Sequence, residues 1–543
     1  MRNKYSVYLE TLKNVENVQV WDSGEIQFDF IVEENKFPLL FSKLSDYSLP
    51  LVSLRNPEKG YSHISHSYHS NKSDLLFLCL SVRDDISIIN KDYKKIIDYT
   101  LKRVHRLLSL DDIEEKREYR KEFLYFWDRK STNKTIPIYL NSSDNIKQLS
   151  LYIKDEETIL VDEDSNLNKM YSKKYKKRKN TIIYVPLINS GKIIPPLDDN
   201  EWDISTIKDL LNNCVSINNV DLLENIKFSN RNMYIIFEMR ITGVLPITYA
   251  IKITFKNNKE KNLYEKLNDI RDIEYISTQR YDTDYLLKRI GINYHGFSKK
   301  KVMIIGAGSL GSYILSELPK LGINEIGIVD HDELSIENIM RHSLGTEYVN
   351  YEKVYGITIK LQSNFPQLNI IPFKNFFSIS KIEDYNLDQY DLIVIATGGT
   401  DFMISLNKYF HENKFNKPVL FSWIEAKGLG VHSLLVDYRK KGCYNCLYNG
   451  TDQNKAHFGE NNREIQFVGT GCGGVFNPYG TIVLLKGTAM ILEKIQKILY
   501  GNGYNNNLLF SIRTTNDGNF KYYKQKTSGS DFYISKECTV CGS

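Results

Sequence analysis

Over the first hundred residues, apolar and polar positions alternate in short runs. VQVWD, EIQFDFIVEE, LPLVSL and LLFLCLSV read as strands separated by Gly, Pro, Asn and Asp. Ile96, Ile97, Leu101, Val104, Leu107 and Leu108 then recur at three- and four-residue steps, a stripe that predicts one amphipathic helix. This is an α+β module. From about 130 to 290, TIPIYL, TIIYVPLI, MYIIFEMRI and TYAIKITF alternate with helical stretches such as Ser205–Cys214, which predicts an α/β or α+β domain. From about 295 onward, strand and helix alternate as in a doubly wound parallel sheet. There is no internal repeat and no Pro-rich or Gly/Ser-rich linker, so pattern alone sets the boundaries: 1–128, 129–275 and 276–543.

Composition narrows the function classes. With 543 residues, 42% hydrophobic and 25% charged, the chain has ample core for several domains and is not disordered. Lys plus Arg (71) against Asp plus Glu (66) leaves +5, too weak a field to argue for nucleic acid, and none is expected as a partner. Lys169–Lys179 (KMYSKKYKKRK) is the dense basic run and reads as a solvated loop, with binding of nucleic acid or of an acidic partner as its alternative. The absence of a long apolar run predicts no membrane span, and the start MRNKYSVYLE predicts a cytoplasmic protein. Seven cysteines are too sparse for a disulfide scaffold and point to metal binding or reactive thiols.

The segment KKKVMIIGAGSLGSYILSEL places a buried strand, Val302 to Ile305, directly before Gly306-Ala307-Gly308-Ser309-Leu310-Gly311 and a helix. Glycines there let backbone N–H groups and a helix N-terminus approach a phosphate. A second apolar strand, EIGIVD, ends at Asp330, twenty-four residues after Gly306, where a carboxylate can accept ribose hydroxyls. A dehydrogenase binding NAD or FAD would satisfy that much. Asp332, Asn338, Arg341 and Lys353 follow, and cations beside a nucleotide suit phosphate neutralisation in adenylyl transfer.

Gly306 to Lys353 resembles the adenylation domain shared by ThiF, MoeB and the ubiquitin-activating enzymes, in a Rossmann-like fold. The resemblance implies that Asp330 and Asp332 are the ribose and metal-side acids, that Asn338, Arg341 and Lys353 bind the triphosphate, and that ATP and Mg2+ are the cofactors. The family places a magnesium Asp straight after the Thr of the next strand; here DLIVIATGGTDF has Gly398 after Thr397, so either Asp401 substitutes or Asp332 and phosphate oxygens alone hold the metal.

Cys443-Tyr-Asn-Cys446 and Cys538-Thr-Val-Cys541 are two CxxC knuckles, the donor set of a structural Zn2+ site; a redox CxxC is the rival. Cys472 lies in Gly469-Thr-Gly-Cys-Gly-Gly474, an exposed setting that suits a nucleophile, and in the resembled family this loop carries the cysteine that takes the activated acyl group. A packing turn with an incidental Cys is the alternative. Cys79 ends the strand LLFLCL, ten residues after His69-Ser70-Asn71. This is similar to a ubiquitin-conjugating domain, where a His-Pro-Asn turn precedes the thioester cysteine and the Asn steadies the oxyanion; Ser70 in place of Pro is a departure. A buried core cysteine is the alternative for Cys79, and core is the reading for Cys214.

Together the modules resemble the all-in-one activating and conjugating proteins of bacterial CBASS anti-phage operons: a ubiquitin-conjugating-like domain at 1–128, a linker domain at 129–275, and the ThiF-type domain at 276–543. EFLYFW (Glu122–Trp127) adds a similar aromatic segment. The resemblance implies a protein substrate with a free C-terminal carboxylate, a CD-NTase or ubiquitin-like protein, and an amine-bearing acceptor. Catalysis would fall to Cys472, Cys79, Asn71, Arg341 and Lys353. It also implies a homodimer in which an arginine ahead of the Gly-rich strand, Arg280 or Arg289, reaches the partner's phosphates. Two other readings stay open: a sulfur-carrier adenylyltransferase of ThiF/MoeB type, and an inactive nucleotide-binding scaffold.

Overall fold

The computed structural model describes residues 3–45, 48–55, 64–69, 75–80, 92–131, 135–162, 167, 175–178, 181–188, 193–197, 201–240, 245–291, 299–448, 453–458, 467–468, 475–476, 479–501, 503–514 and 525–542. The chain divides into two compact units, Met1–Glu163 with Lys174–Arg280, and Asp164–Lys173 with Tyr281–Ser543. Among the described residues no helix is long and apolar enough to cross a membrane.

The first unit opens with helix α1 (Lys4–Leu9) and strands β1 (Val15–Val20), β2 (Ile26–Val32), β3 (Asn35–Ser42), β4 (Leu51–Arg55), β5 (Ser67–His69) and β6 (Leu75–Leu78). They form an antiparallel sheet in the order β1-β2-β3-β4-β6-β5. Period-two alternation turns Ile26, Phe28, Phe30 and Val32 inward, and helix α2 (Tyr93–Leu108) lays Ile97, Leu101 and Val104 into the same core. The strands and helix expected from the sequence are all present. Helices α3 (Asp112–Lys121) and α4 (Phe123–Lys130) follow, α3 capped by Asp111, whose carboxylate accepts from Ile113 and Glu114 N–H.

The middle of the chain forms strands β7 (Thr135–Tyr139), β8 (Lys147–Lys154), β9 (Glu157–Asp162), β10 (Lys176–Arg178), β11 (Thr181–Leu187), β12 (Lys227–Phe228), β13 (Asn232–Met239), β14 (Ile247–Phe255), β15 (Lys261–Asn262) and β16 (Ile270–Arg280). Apart from the β12–β15 ribbon, their order is β10-β8-β11-β13-β14-β16-β7-β9. Because β8 also pairs with β9, seven of these strands close into a ring, a barrel the sequence did not announce. Ile138, Leu151, Leu160, Tyr184 and Ile236 fill one face, and Ile183, Val185, Ile235 and Ile251 pack the other against helices α5 (Ile204–Asn213) and α6 (Ile217–Asn225). Phe123 and Trp127 of α4 join that second core beside Trp202 and Tyr249, and Trp127 Nε1 donates to Ile276 O at 3.0 Å. Part of the basic run read as a loop, Lys176–Arg178, is instead an exposed edge strand on β8.

Arg280, one of two arginines expected to reach a partner's phosphates, is buried. Its guanidinium pairs with Glu238 Oε2 at 2.8 Å and donates to Ser142 Oγ at 3.0 Å. Glu238 is fully buried and also accepts from Arg240 Nε at 2.8 Å. Two buried opposite charges hold each other there, because either alone would be desolvated without a partner.

The second unit is built on strands β17 (Lys301–Ile305), β18 (Glu325–Val329), β19 (Asn369–Phe373), β20 (Leu392–Ile395), β21 (Val419–Ile424), β22 (Gly430–Val436), β25 (Leu508–Arg513) and β26 (Gln525–Gly529), with β23 (Phe467–Val468) and β24 (Val475–Phe476) paired apart. The order is β19-β18-β17-β20-β21-β22-β25-β26. The first five are parallel, as expected of a doubly wound sheet, and the last three extend it antiparallel. Both faces are buried: Val302 and Ile304 enter one core, Met303 and Ile305 the other. Helices α7 (Thr283–Arg289), α8 (Ser309–Glu317), α9 (Lys353–Asn364), α10 (Thr400–Glu412) and α11 (Thr481–Tyr500) accompany the sheet.

Replacing Glu238 by Ala should strand the Arg280 charge inside the barrel unit and cost about 3–5 kcal/mol. Urea unfolding followed by barrel tryptophan fluorescence checks this, with the midpoint falling and Arg280→Met partly restoring it in the double variant.

Candidate functional site

In an open α/β sheet, ligands sit beyond the carboxyl ends of the strands where the order reverses, which here is the edge between β17 and β20. Gly306 leaves β17 with φ +99°, and a Cβ on it would come within 2.8 Å of the Ala396 carbonyl at the end of β20. A Cβ on Gly311 would fall 1.9 Å from Gly306 O, so that glycine lets α8 start hard against the strand. Gly308 has nothing within 4 Å of where its Cβ would stand. Two of the three glycines therefore serve packing, and the third leaves an open face at the N-terminus of α8.

Asp330 follows β18 and grips this loop. Its Oδ2 accepts from Ala307 N–H at 2.6 Å and its Oδ1 from Asp332 N–H at 2.9 Å. Asp332 Oδ2 in turn meets Lys353 Nζ at 2.7 Å, and Oδ1 lies 3.2 Å from His331 Nε2. Burial alone would raise the Asp332 carboxyl, but the Lys353 ammonium more than offsets this and holds it below the usual carboxylate range. Lys353 opens α9 and is largely buried. Asn338 Oδ1 accepts from Arg341 Nε and Nη2 at 3.1 and 2.8 Å, fixing the guanidinium, which also lies 5.6 Å from the Tyr479 ring centre. Acid, amide and cations are thus held in place before any ligand arrives. The ligand atoms of Asp330, His331 and Asp332 lie within 4.8 Å of one another, a spacing compatible with a divalent cation. Asp401 stands exposed in the first turn of α10, after exposed Gly398.

One residue of this site carries no sequence signal. His342, next to Arg341, is buried; its Nδ1 accepts from Leu344 N–H at 3.1 Å, so its Nε2 bears the proton and donates to Ala307 O at 2.8 Å. Ala307 is therefore held at its N–H by Asp330 and at its C=O by His342. Nothing in the periodicity around His342 distinguishes it from a surface histidine.

The four knuckle cysteines converge. Cys443 Sγ lies 4.0 Å from Cys446 Sγ and 3.7 Å from Cys538 Sγ, and Cys446 Sγ lies 3.3 Å from Cys541 Sγ. Tetrahedral zinc with Zn–S near 2.3 Å spaces its sulfurs by about 3.8 Å, whereas a disulfide needs about 2.05 Å, so the donor set fits zinc. Buried Asn407 on α10 anchors the first knuckle: its Oδ1 accepts from Tyr444 N–H and its Nδ2 donates to Asn445 Oδ1.

Cys79 follows β6 and is exposed, so the core reading does not hold for it, while Cys214 is buried as expected. Packing around the thiol and the charge of Glu122 raise its pKa. Cys472 and Asn71 lie outside the described residues, as does the side chain of His69.

Residues 281–531 match the ThiF family. The chain is 27% identical over 240 residues to the ATP-dependent ubiquitin transferase-like protein Cap2 of Pseudomonas aeruginosa, covering 42% of each. It is 33% identical over 159 residues to the protein of that name from Enterobacter hormaechei, covering 29% of this chain and 26% of that one. It is also 27% identical over 295 residues to the adenylyltransferase and sulfurtransferase MOCS3 of Aedes aegypti, covering 53% of this chain and 59% of that protein. The match spans less than half the length of either Cap2 relative. A crystal structure of E. coli MccB with ATP aligns over 46% of this chain and 68% of that one, at 18% identity and a TM-score of 0.34.

Burial drives the His342 pKa down to about 4, with a smaller push from the charge of Lys353. The unfolded chain titrates this group near 6.5, so between about 6.5 and 4 it binds a proton that the folded chain refuses. Stability should fall by about 3 kcal/mol across that window from this group. Acid-unfolding curves should show the slope, and His342→Gln should remove this group's share of it. Residues 281–531 of this chain form a ThiF-family domain.

Proposed function

We propose that the chain uses ATP to activate the C-terminal carboxylate of a protein, then passes the acyl group through cysteine thioesters to an amine. The observation that carries this reading is the open face of Gly308 set at one sheet edge with the Asp332–Lys353 pair and the Asn338–Arg341 pair. The similarity to Cap2, a ubiquitin transferase-like protein, and to MOCS3, an adenylyltransferase, supports it.

The amides of Gly308 to Gly311, at the N-terminus of α8, receive the phosphates, and each Asp330 oxygen keeps a second lone pair for a ribose hydroxyl. Asp332, with Asp401 as the further acid, would hold magnesium, which when bound neutralises phosphate charge. An oxygen of the substrate carboxylate attacks the α-phosphorus as the bond to pyrophosphate breaks, and Arg341 and Lys353 stabilise the charge on the departing group. Cys472 then attacks the acyl carbon and AMP leaves. Cys79 takes the group from Cys472, and an amine attacks the second thioester, with Asn71 donating to the oxyanion. The CBASS resemblance makes a CD-NTase the proposed substrate, with a ubiquitin-like protein as the other chain suited to this chemistry. In a homodimer, Arg289, which is exposed, is the candidate to reach a partner's phosphates, since Arg280 is committed to Glu238. The MOCS3 match favours a second reading, sulfur-carrier activation, in which Cys79 has no part.

Pyrophosphate–ATP exchange with the substrate present should survive Cys472→Ala and Cys79→Ala and fall about a hundredfold or more with Arg341→Ala or Lys353→Ala. Cys79→Ala should trap a reducible thioester on Cys472, seen by intact mass. Undiminished conjugation to amines by Cys79→Ala would leave the sulfur-carrier reading in front, and no exchange at all would leave a nucleotide-binding scaffold.

Elemental analysis should find one zinc per chain, held by Cys443, Cys446, Cys538 and Cys541. Because such a metal is linked to folding, Cys538→Ser should lower the melting temperature of the protein. Well-folded protein without zinc would remove this assignment.

A further inference from the structure

A cavity of about 350 Å³ opens beside Cys79, lined also by His66, Arg103, Arg106, Glu118, Lys121 and Glu122. His66 and Cys79 are cross-strand neighbours: the β5–β6 register pairs Ser67 with Leu78, and Cys79 N–H donates to His66 O at 2.6 Å. His66 holds a left-handed backbone, φ +60°, which a non-glycine residue keeps only where its surroundings fix it. Glu122 does so, accepting from His66 N–H at 2.7 Å while its other oxygen lies 2.7 Å from Nδ1. Glu118 Oε2 lies 2.9 Å from Nε2. Ionised carboxylates only accept, so hydrogen bonding at both ring nitrogens requires both to carry protons, and the ring is an imidazolium. Its pKa is raised accordingly, chiefly by Glu122, with burial opposing.

The charges around this ring come from three elements. Glu118 and Lys121 lie on α3 and pair with each other at 2.6 Å, Glu122 lies at the junction with α4, and Arg103 and Arg106 lie on α2. With the imidazolium itself, four cations thus stand against two carboxylates. The Cys79 thiol itself is pushed up by packing and by Glu122, so it rests protonated. Charge appears on its sulfur only when a bond to that sulfur is made or broken, and the surplus of cations has its use at that moment.

We propose that this cavity is the acyl-transfer site of Cys79 and that His66 is its positioning residue, an imidazolium clamped by Glu118 and Glu122 that fixes the cysteine-bearing strand end and sets positive charge against the departing thiolate. The proposal rests on Cys79 as acyl carrier. In the step served, an amine nitrogen attacks the thioester carbonyl carbon and the C–N bond forms. The C–S bond breaks with its electron pair on Sγ, and the proton lost by nitrogen ends on Sγ, restoring the thiol.

The test needs no acyl substrate. Full-length protein is alkylated with iodoacetamide across a pH series, and the Cys79 peptide is quantified by mass spectrometry. His66→Gln removes the cation and should raise the apparent thiol pKa, slowing alkylation near pH 7.5 by about threefold or more, equivalent to half a pKa unit. Glu122→Gln removes the opposing charge while keeping an acceptor for His66 N–H, and should speed alkylation by a similar factor. Shifts of the same sign in both variants, as simple loosening of the strand would give, overturn the proposal, and so does no shift in either. Thioester on Cys79 is read separately by intact mass: its absence with opposite alkylation shifts would sink the acyl-carrier reading and leave the charge coupling standing.

Discussion

The ThiF-family domain turns on one carboxylate. Asp330, at the end of β18, accepts from Ala307 N–H in the loop after β17 and from Asp332 N–H in its own segment. That single side chain ties the glycine loop to the acids and cations that follow. His342 closes the tie from the other side through Ala307 O. Held at its N–H and at its C=O, Ala307 is fixed by folding rather than by any ligand.

The same economy recurs elsewhere in the chain. Lys353 rests on Asp332, Arg341 on Asn338, and Asn407 fixes the first cysteine knuckle from α10. Each cation is oriented by a partner already in place, Lys353 by a carboxylate and Arg341 by a neutral amide. Around Cys79 the logic inverts: the thiol rests neutral, and the charges about it are set by a histidine clamped between two glutamates.

Much of this was legible in the sequence where a motif reports a local backbone demand. The glycine loop, the acid after β18 and the paired knuckles could be read because a turn, a strand end and a four-thiol cluster impose fixed residue types at fixed spacings. The barrel was not legible, because closure depends on β8 pairing with β9 as well as with β11, and single-strand patterns carry no information on partners. His342, His66 and Glu118 were missed for a related reason: each acts through residues remote in sequence. Arg280, one of two arginines expected to reach a partner's phosphates, is held instead by a buried glutamate forty-two positions earlier.

The central claim is that a carboxylate oxygen of the substrate attacks the α-phosphorus of ATP. Labelling the substrate's C-terminal carboxylate with oxygen-18 and following the label after a single turnover tests this directly. The account predicts label in AMP, since the attacking oxygen stays on phosphorus when the thiol displaces the nucleotide. Label in orthophosphate, with ADP as the nucleotide product, would contradict it.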